Sequence, residues 1–97
     1  MSRTHRRRRM PAAAPAPNRF RISIAFGEVL KASREDAGLS QEAFAQLAGM
    51  HRTTPSLYER GLRQPTLTYL FVIGLVLEID PEQLVADTRV RLQEADP

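Results

Sequence analysis

Between Ser40 and Gly61 the chain has to form and end two helices within a few turns, and its punctuation says where. Ser40 is a side-chain cap, Glu42 places an acid in the first turn beside the positive end of the helix dipole, and Gly49 is a stop signal. Phe44, Leu47 and Ala48 recur at helical spacing and are expected to be buried. A second short helix then ends at Gly61. Helices this short are not stable alone. They persist only when other elements cover their apolar faces, so the rest of the chain has to supply those elements.

It does so as helices. The first is expected from about Ser23, as cap, to Ala37, with Phe26, Leu30 and Arg34 on one side and Gly38 as the stop. A fourth starts after the cap Thr66 and runs from Leu67 to about Glu78. On it Leu67, Leu70, Ile73, Gly74 and Leu77 face the core. A fifth starts with Asp80 as cap and Pro81 at the first helical position, where a missing N–H costs nothing. It carries Leu84, Val85, Thr88 and Leu92 on one side. Only Phe20, Ile22 and Ile24 alternate in a weak strand-like way. The expected fold class is all-α, a compact five-helix domain over residues 19–93, with tails at 1–18 and 94–97.

The chain has 97 residues, room for one small domain. It has no cysteine, which excludes disulfides and thiolate metal sites and suits a reducing cytoplasm. The longest apolar run, from Leu70 to Leu77, is too short to span a bilayer, and the basic N-terminus lacks an apolar signal core. The net charge of +3 is unevenly spread. Residues 1–21 hold seven arginines and no acid, while the remainder holds seven basic and eleven acidic side chains, a balance of −4. The high pI therefore belongs to the N-terminal segment and not to the folded body. The composition of residues 1–18, an arginine cluster followed by alternating Ala and Pro, predicts disorder. Two readings of "HRRRRM" stand side by side: an arm that contacts phosphates, and a solvated tail or over-extended start.

A helix-turn-helix requires a short packed helix, a turn of a few residues, and a second helix with exposed polar residues near its start. "QEAFAQLAGMHRTTPSLYERG" meets all three. Ala45 and Gly49 are small where helices approach; Leu47, Met50 and Tyr58 are apolar at inward positions; Arg52, Thr53 and Ser56 point outward. Pro55 conflicts with a long second helix, because interior proline costs about 3 kcal/mol. With Thr54 as cap it becomes the first helical residue, so the helix is expected to shorten to about Pro55–Arg60, with Arg52 and Thr53 on the turn. On this reading Pro55→Ile is expected to stabilise the fold.

Residues 26–85 resemble the lambda-repressor-like, Xre-type helix-turn-helix family through "FGEVLKASREDAGLSQEAFAQLAGM…LYERGLRQPTLTYL". The resemblance implies a lambda-repressor-like DNA-binding domain. It also implies that Gln41 binds a DNA phosphate, that Arg52, Thr53, Ser56 and Leu57 face the major groove, and that Arg60 holds the backbone beyond. His51 would lie near the phosphates. Arg34 and Glu59 would form an internal ion pair. The sequence departs from the family pattern at Ser33, where Leu is usual, at Glu78, where Gly is usual, and at Pro55, where a buried aliphatic residue is usual.

The implied function is a sequence-specific transcriptional regulator, such as a repressor, bound to double-stranded DNA. A protein-interaction module on the same scaffold is the alternative. Thr68, Val72, Leu75 and Ile79 form a further apolar stripe on the fourth helix. With Val85, Thr88 and Leu92 they predict a homodimer; the competing expectation is that Phe20–Ile24 folds back over the stripe. No nucleophile–base pairing, phosphate loop or metal-ligand cluster argues for an enzyme, and no cofactor or small-molecule ligand is implied.

Overall fold

α1 (Arg19–Asp36) begins well before Ser23 in the computed structural model, which describes residues 19–95. Ser23 is therefore not a cap. Its hydroxyl donates back to the Arg19 carbonyl at 2.9 Å and accepts from Gln64 Nε2 at 2.7 Å, so the serine is buried inside the helix beneath the 62–66 loop. Phe20, Ile22 and Ile24 belong to the same helix, so the strand-like alternation has no structural counterpart. The arginine cluster and the proline-rich run at 1–18 lie outside the described residues.

The remaining elements are α2 (Gln41–Ala48), α3 (Thr54–Glu59), α4 (Leu67–Leu77) and α5 (Pro81–Ala95), and no strand occurs among the described residues. Ser40 caps α2 by accepting from the Ala43 N–H at 3.0 Å. Gly49 closes it in the left-handed region, at φ 67°, while the Met50 N–H reaches back to the Ala45 carbonyl. Thr66 caps α4 in the same way, through the Tyr69 N–H. The Asp80 carbonyl receives the Gln83 and Leu84 N–H groups at the start of α5.

Leu30, Phe44, Ile73 and Leu84 are fully buried, one from each of four helices. Each such side chain contributes about 1.5–3 kcal/mol on leaving water. Phe26, Val29, Ala48, Tyr58 and Leu77 complete the buried cluster. Leu70 and Met50 pack against it, and two expected core residues are exposed instead: Leu47 at 64% and Leu67 at 71%. The inward arc of α2 is set by Phe44, Ala45 and Ala48, which turns Leu47 to the side. Leu67 sits in the first turn of α4, at the margin of the arc that Ile73, Gly74 and Leu77 bury.

Gly27 does more than its place within a helix suggests. A Cβ there would lie 2.5 Å from both the Tyr58 and Glu59 carbonyl oxygens. α1 and α3 thus meet backbone against backbone, at a separation only glycine permits.

Glu78 stands at the α4 terminus with φ 58° and ψ 43°, the only non-glycine residue at positive φ among the described residues. This left-handed geometry costs an ordinary residue roughly 1–2 kcal/mol. It explains the departure noted in the sequence: glycine is usual here because the cap needs positive φ. We expect Glu78→Gly to stabilise the domain by about 0.5–1 kcal/mol, the rest being offset by the freedom glycine gains in the unfolded chain. Thermal unfolding followed by circular dichroism checks this through a midpoint a few degrees higher.

Candidate nucleic-acid interface

The interface rests on a charged group buried beneath it. Arg34, on α1, donates from Nε to Glu59 Oε2 at 2.6 Å and from a terminal nitrogen to Oε1 at 3.1 Å. Its other terminal nitrogen donates to the Leu39 carbonyl at 2.6 Å. The two side chains are only 9% and 4% exposed. The hydrogen bonds that Arg34 donates to Glu59 hold its pKa above the ordinary value, against the opposing effect of burial. Gln41 Nε2 donates to Glu59 Oε1 at 2.9 Å, which brings the start of α2 into the same network. α1, α2 and α3 are therefore fastened at one carboxylate, and Arg34 ties in the loop at Leu39. Removing one partner of such a pair costs about 3–5 kcal/mol, because the other charge stays buried.

The connection from α2 to α3 is a tight turn. The Thr54 N–H donates to the His51 carbonyl at 3.0 Å, and Thr53 has φ −87° and ψ −14°, as the third residue of a type I turn does. The His51 ring closes the turn from the side: Nδ1 accepts from the Thr53 N–H at 3.2 Å and lies 2.8 Å from its hydroxyl. α3 begins at Thr54, so Thr53 holds the cap position expected for Thr54, without a side-chain capping bond. Pro55 is the second helical residue and is fully buried. The shortened helix with Arg52 and Thr53 on the turn is as the sequence led us to expect. The cap itself is displaced by one residue, because the turn through His51 already delivers Thr54 in helical geometry.

Gln41, Arg52, Thr53, Ser56, Leu57 and Arg60 line one open concave surface between the start of α2 and α3. His51, the seventh expected DNA-contacting residue, is exposed but serves the turn and lies off that surface. Arg60 is exposed, with Nε 3.1 Å from Ser56 Oγ, which it uses as a rest. Counted along the sequence, Glu59 offsets one of Arg52, Arg60 and Arg63. In the fold its charge is held inward by Arg34, and the three arginines are exposed. Glu42, absent from the expected site, lines the same concavity. Its place in the first turn of α2, next to Gln41, is the signal that could have found it.

The expected dimer residues do not share one surface. Thr88 is buried and its hydroxyl donates to the Leu84 carbonyl, because this side of α5 faces inward with Leu84. Val72 and Ile79 pack on the core, and Leu92 is half-buried. Leu75 and Val85 are exposed, at 79% and 47%. The open apolar stripe on α4 is instead Leu67, Phe71 and Leu75, one helical turn apart. Among the described residues there is no cluster of potential metal ligands and no helix long and apolar enough to cross a membrane.

Residues 25–84 match a family model described as a helix-turn-helix domain. The restriction-modification controller protein C.AhdI from Aeromonas hydrophila is 35% identical, with a TM-score of 0.62 over 64% of this chain and 94% of that one. An HTH_3 family transcriptional regulator from Vibrio cholerae is 30% identical, with a TM-score of 0.67 over 75% of this chain and 42% of that one. A mutant of the restriction-modification controller protein C.Esp1396I is 25% identical, with a TM-score of 0.70 over 77% of this chain and 95% of that one. No curated protein matches the chain.

The position of Pro55 reverses the outcome first expected for its replacement. At the second helical position the proline lacks an N–H that would have no intrahelical acceptor, and Thr53 provides no capping oxygen. Isoleucine would bury an unpartnered donor and free the unfolded chain. We expect Pro55→Ile to lower stability by about 0.5–2 kcal/mol. Denaturant unfolding of both forms measures it; a higher midpoint in the variant would mean that α3 extends back through Arg52.

Proposed function

This chain belongs to the Xre-type helix-turn-helix family, and we propose that within it the protein is a sequence-specific transcriptional regulator of double-stranded DNA. One observation carries this reading: six of the residues chosen from the sequence for DNA contact line a single concave surface on α2 and α3. In the proposed complex α3 and the turn before it enter the major groove. Arg52, Thr53, Ser56 and Leu57 meet base edges, Arg60 meets the backbone beyond, and His51 lies near the flanking phosphates. Gln41 approaches a phosphate with the part of its amide that Glu59 leaves free, beside the positive end of the α2 dipole. The regulators from Aeromonas hydrophila and Vibrio cholerae support the regulatory role. The helical residues are the binding unit, and the cytoplasm is its proposed location.

The protein is further proposed to act as a homodimer on two half-sites. The stripe of Leu67, Phe71 and Leu75 supports this, since such a row is rarely left open on a small monomer. Val85 extends the proposed contact onto α5. Two-fold pairing would set the recognition helices about 34 Å apart, one turn of DNA.

Binding selection from a random DNA library tests the regulator reading, and a recovered two-fold site is the expected result. On that site Arg52→Ala should weaken binding by about 1–3 kcal/mol and relax preference at one position per half-site. Gln41→Ala should weaken binding evenly across sequences, since phosphates carry no sequence information. Equal affinities for all three forms would reject the placement. Sedimentation equilibrium tests the assembly separately: the parent should be dimeric at micromolar concentration and Leu75→Glu monomeric, with its fold intact because Leu75 lies outside the core.

A further inference from the structure

The proposed DNA face contains a group that a polyanion should repel. Glu42 is exposed in the first turn of α2 and lines the concavity together with Arg52, Thr53, Ser56, Leu57 and Arg60. It also lines the neighbouring concavity, as Arg52 does, so both residues border both hollows. The other acid closest to the site, Glu59, is buried and bound to Arg34 and Gln41. Glu42 has neither an ion pair nor a side-chain hydrogen bond among the described residues. A carboxylate has only acceptors, and phosphate offers no donor. Any docked arrangement that brings a phosphate to this border leaves two anions facing each other. An arrangement that directs Arg52 at a base edge leaves the inner N–H groups of its guanidinium for Glu42, so the acid gains a partner.

From this juxtaposition we propose that Glu42 is a specificity-determining residue of the DNA face. It weakens non-specific docking, in which Arg52 seeks phosphate, and is tolerated in the specific complex, in which Arg52 is held between base and carboxylate. Discrimination then comes partly from a repulsive element, as specificity often does. The inference rests on the DNA-binding reading, and its test separates the two.

Binding of the full chain to the selected site and to a random-sequence duplex is measured over a range of salt for the parent, Glu42→Gln and Glu42→Asp. Glu42→Gln is expected to bind the random duplex about two- to fivefold more tightly, with a steeper salt dependence. Its affinity for the selected site should change less, so the ratio of specific to random binding falls. Glu42→Asp, which keeps the charge, should hold the parental ratio. In Arg52→Ala the substitution Glu42→Gln should no longer favour random over selected DNA. Loss of a favourable first-turn acid lowers only the unfolding midpoint and leaves the ratio unchanged, so a purely structural role would show itself. A parental ratio in Glu42→Gln, with the parent binding its site, overturns this inference alone. A parent that binds no DNA at low salt overturns it together with the DNA-binding reading.

Discussion

A single buried carboxylate organises the half of the molecule that faces outward. Glu59 closes α3, receives two hydrogen bonds from Arg34 on α1, and receives a third from Gln41 at the head of α2. Burying such a group alone would be prohibitive. Burying it with a matched guanidinium and an amide makes it a fixed point on which three helices agree. The geometry of the concave face follows. Arg52 is carried by the turn before α3, Ser56 by α3 and Arg60 by its C-terminal cap, Gln41 and Glu42 by α2, and the elements are held in register from below. The hydrophobic core supplies most of the driving force for folding, but apolar contact is non-directional and does not fix such alignments.

The local punctuation of this fold was legible in the sequence because capping chemistry is local. Ser40, Gly49 and Thr66 act as their residue types predict, and the Arg34–Glu59 pair expected from the family likeness forms. Errors arose where tertiary surroundings decide. Ser23 resembles a cap, yet its hydroxyl is satisfied inside a helix by Arg19 and Gln64, a partner 41 residues away. Leu47 and Leu67 have the right spacing for burial, but the true inward arc depends on which neighbours arrive, and these place both residues in solvent. Thr88 has the spacing of an outer-surface residue on α5 and lies beneath that surface.

The site shows the same division. Side chains that face outward near a helix start can be picked from a motif, and six of them share a surface. What the linear count could not show is charge placement. Glu59 counts against the local arginines along the chain but is turned inward by Arg34, whereas Glu42, counted as a helix-start acid, faces the concavity. Formal charge in a window of sequence says little about the field over a surface until burial and pairing are known.

The contact at Gly27 bears on how such a protein changes over generations. Because α1 and α3 touch through backbone atoms at that point, the seat of α3 does not depend on the size or shape of any side chain there. Arg52 is exposed on the turn before α3 and takes no part in that seat. Variation is thereby channelled: an exchange at position 52 leaves the joint alone, while a Cβ at position 27 would collide with the α3 backbone. The joint is a fulcrum that separates what lineage can explore from what it has to keep.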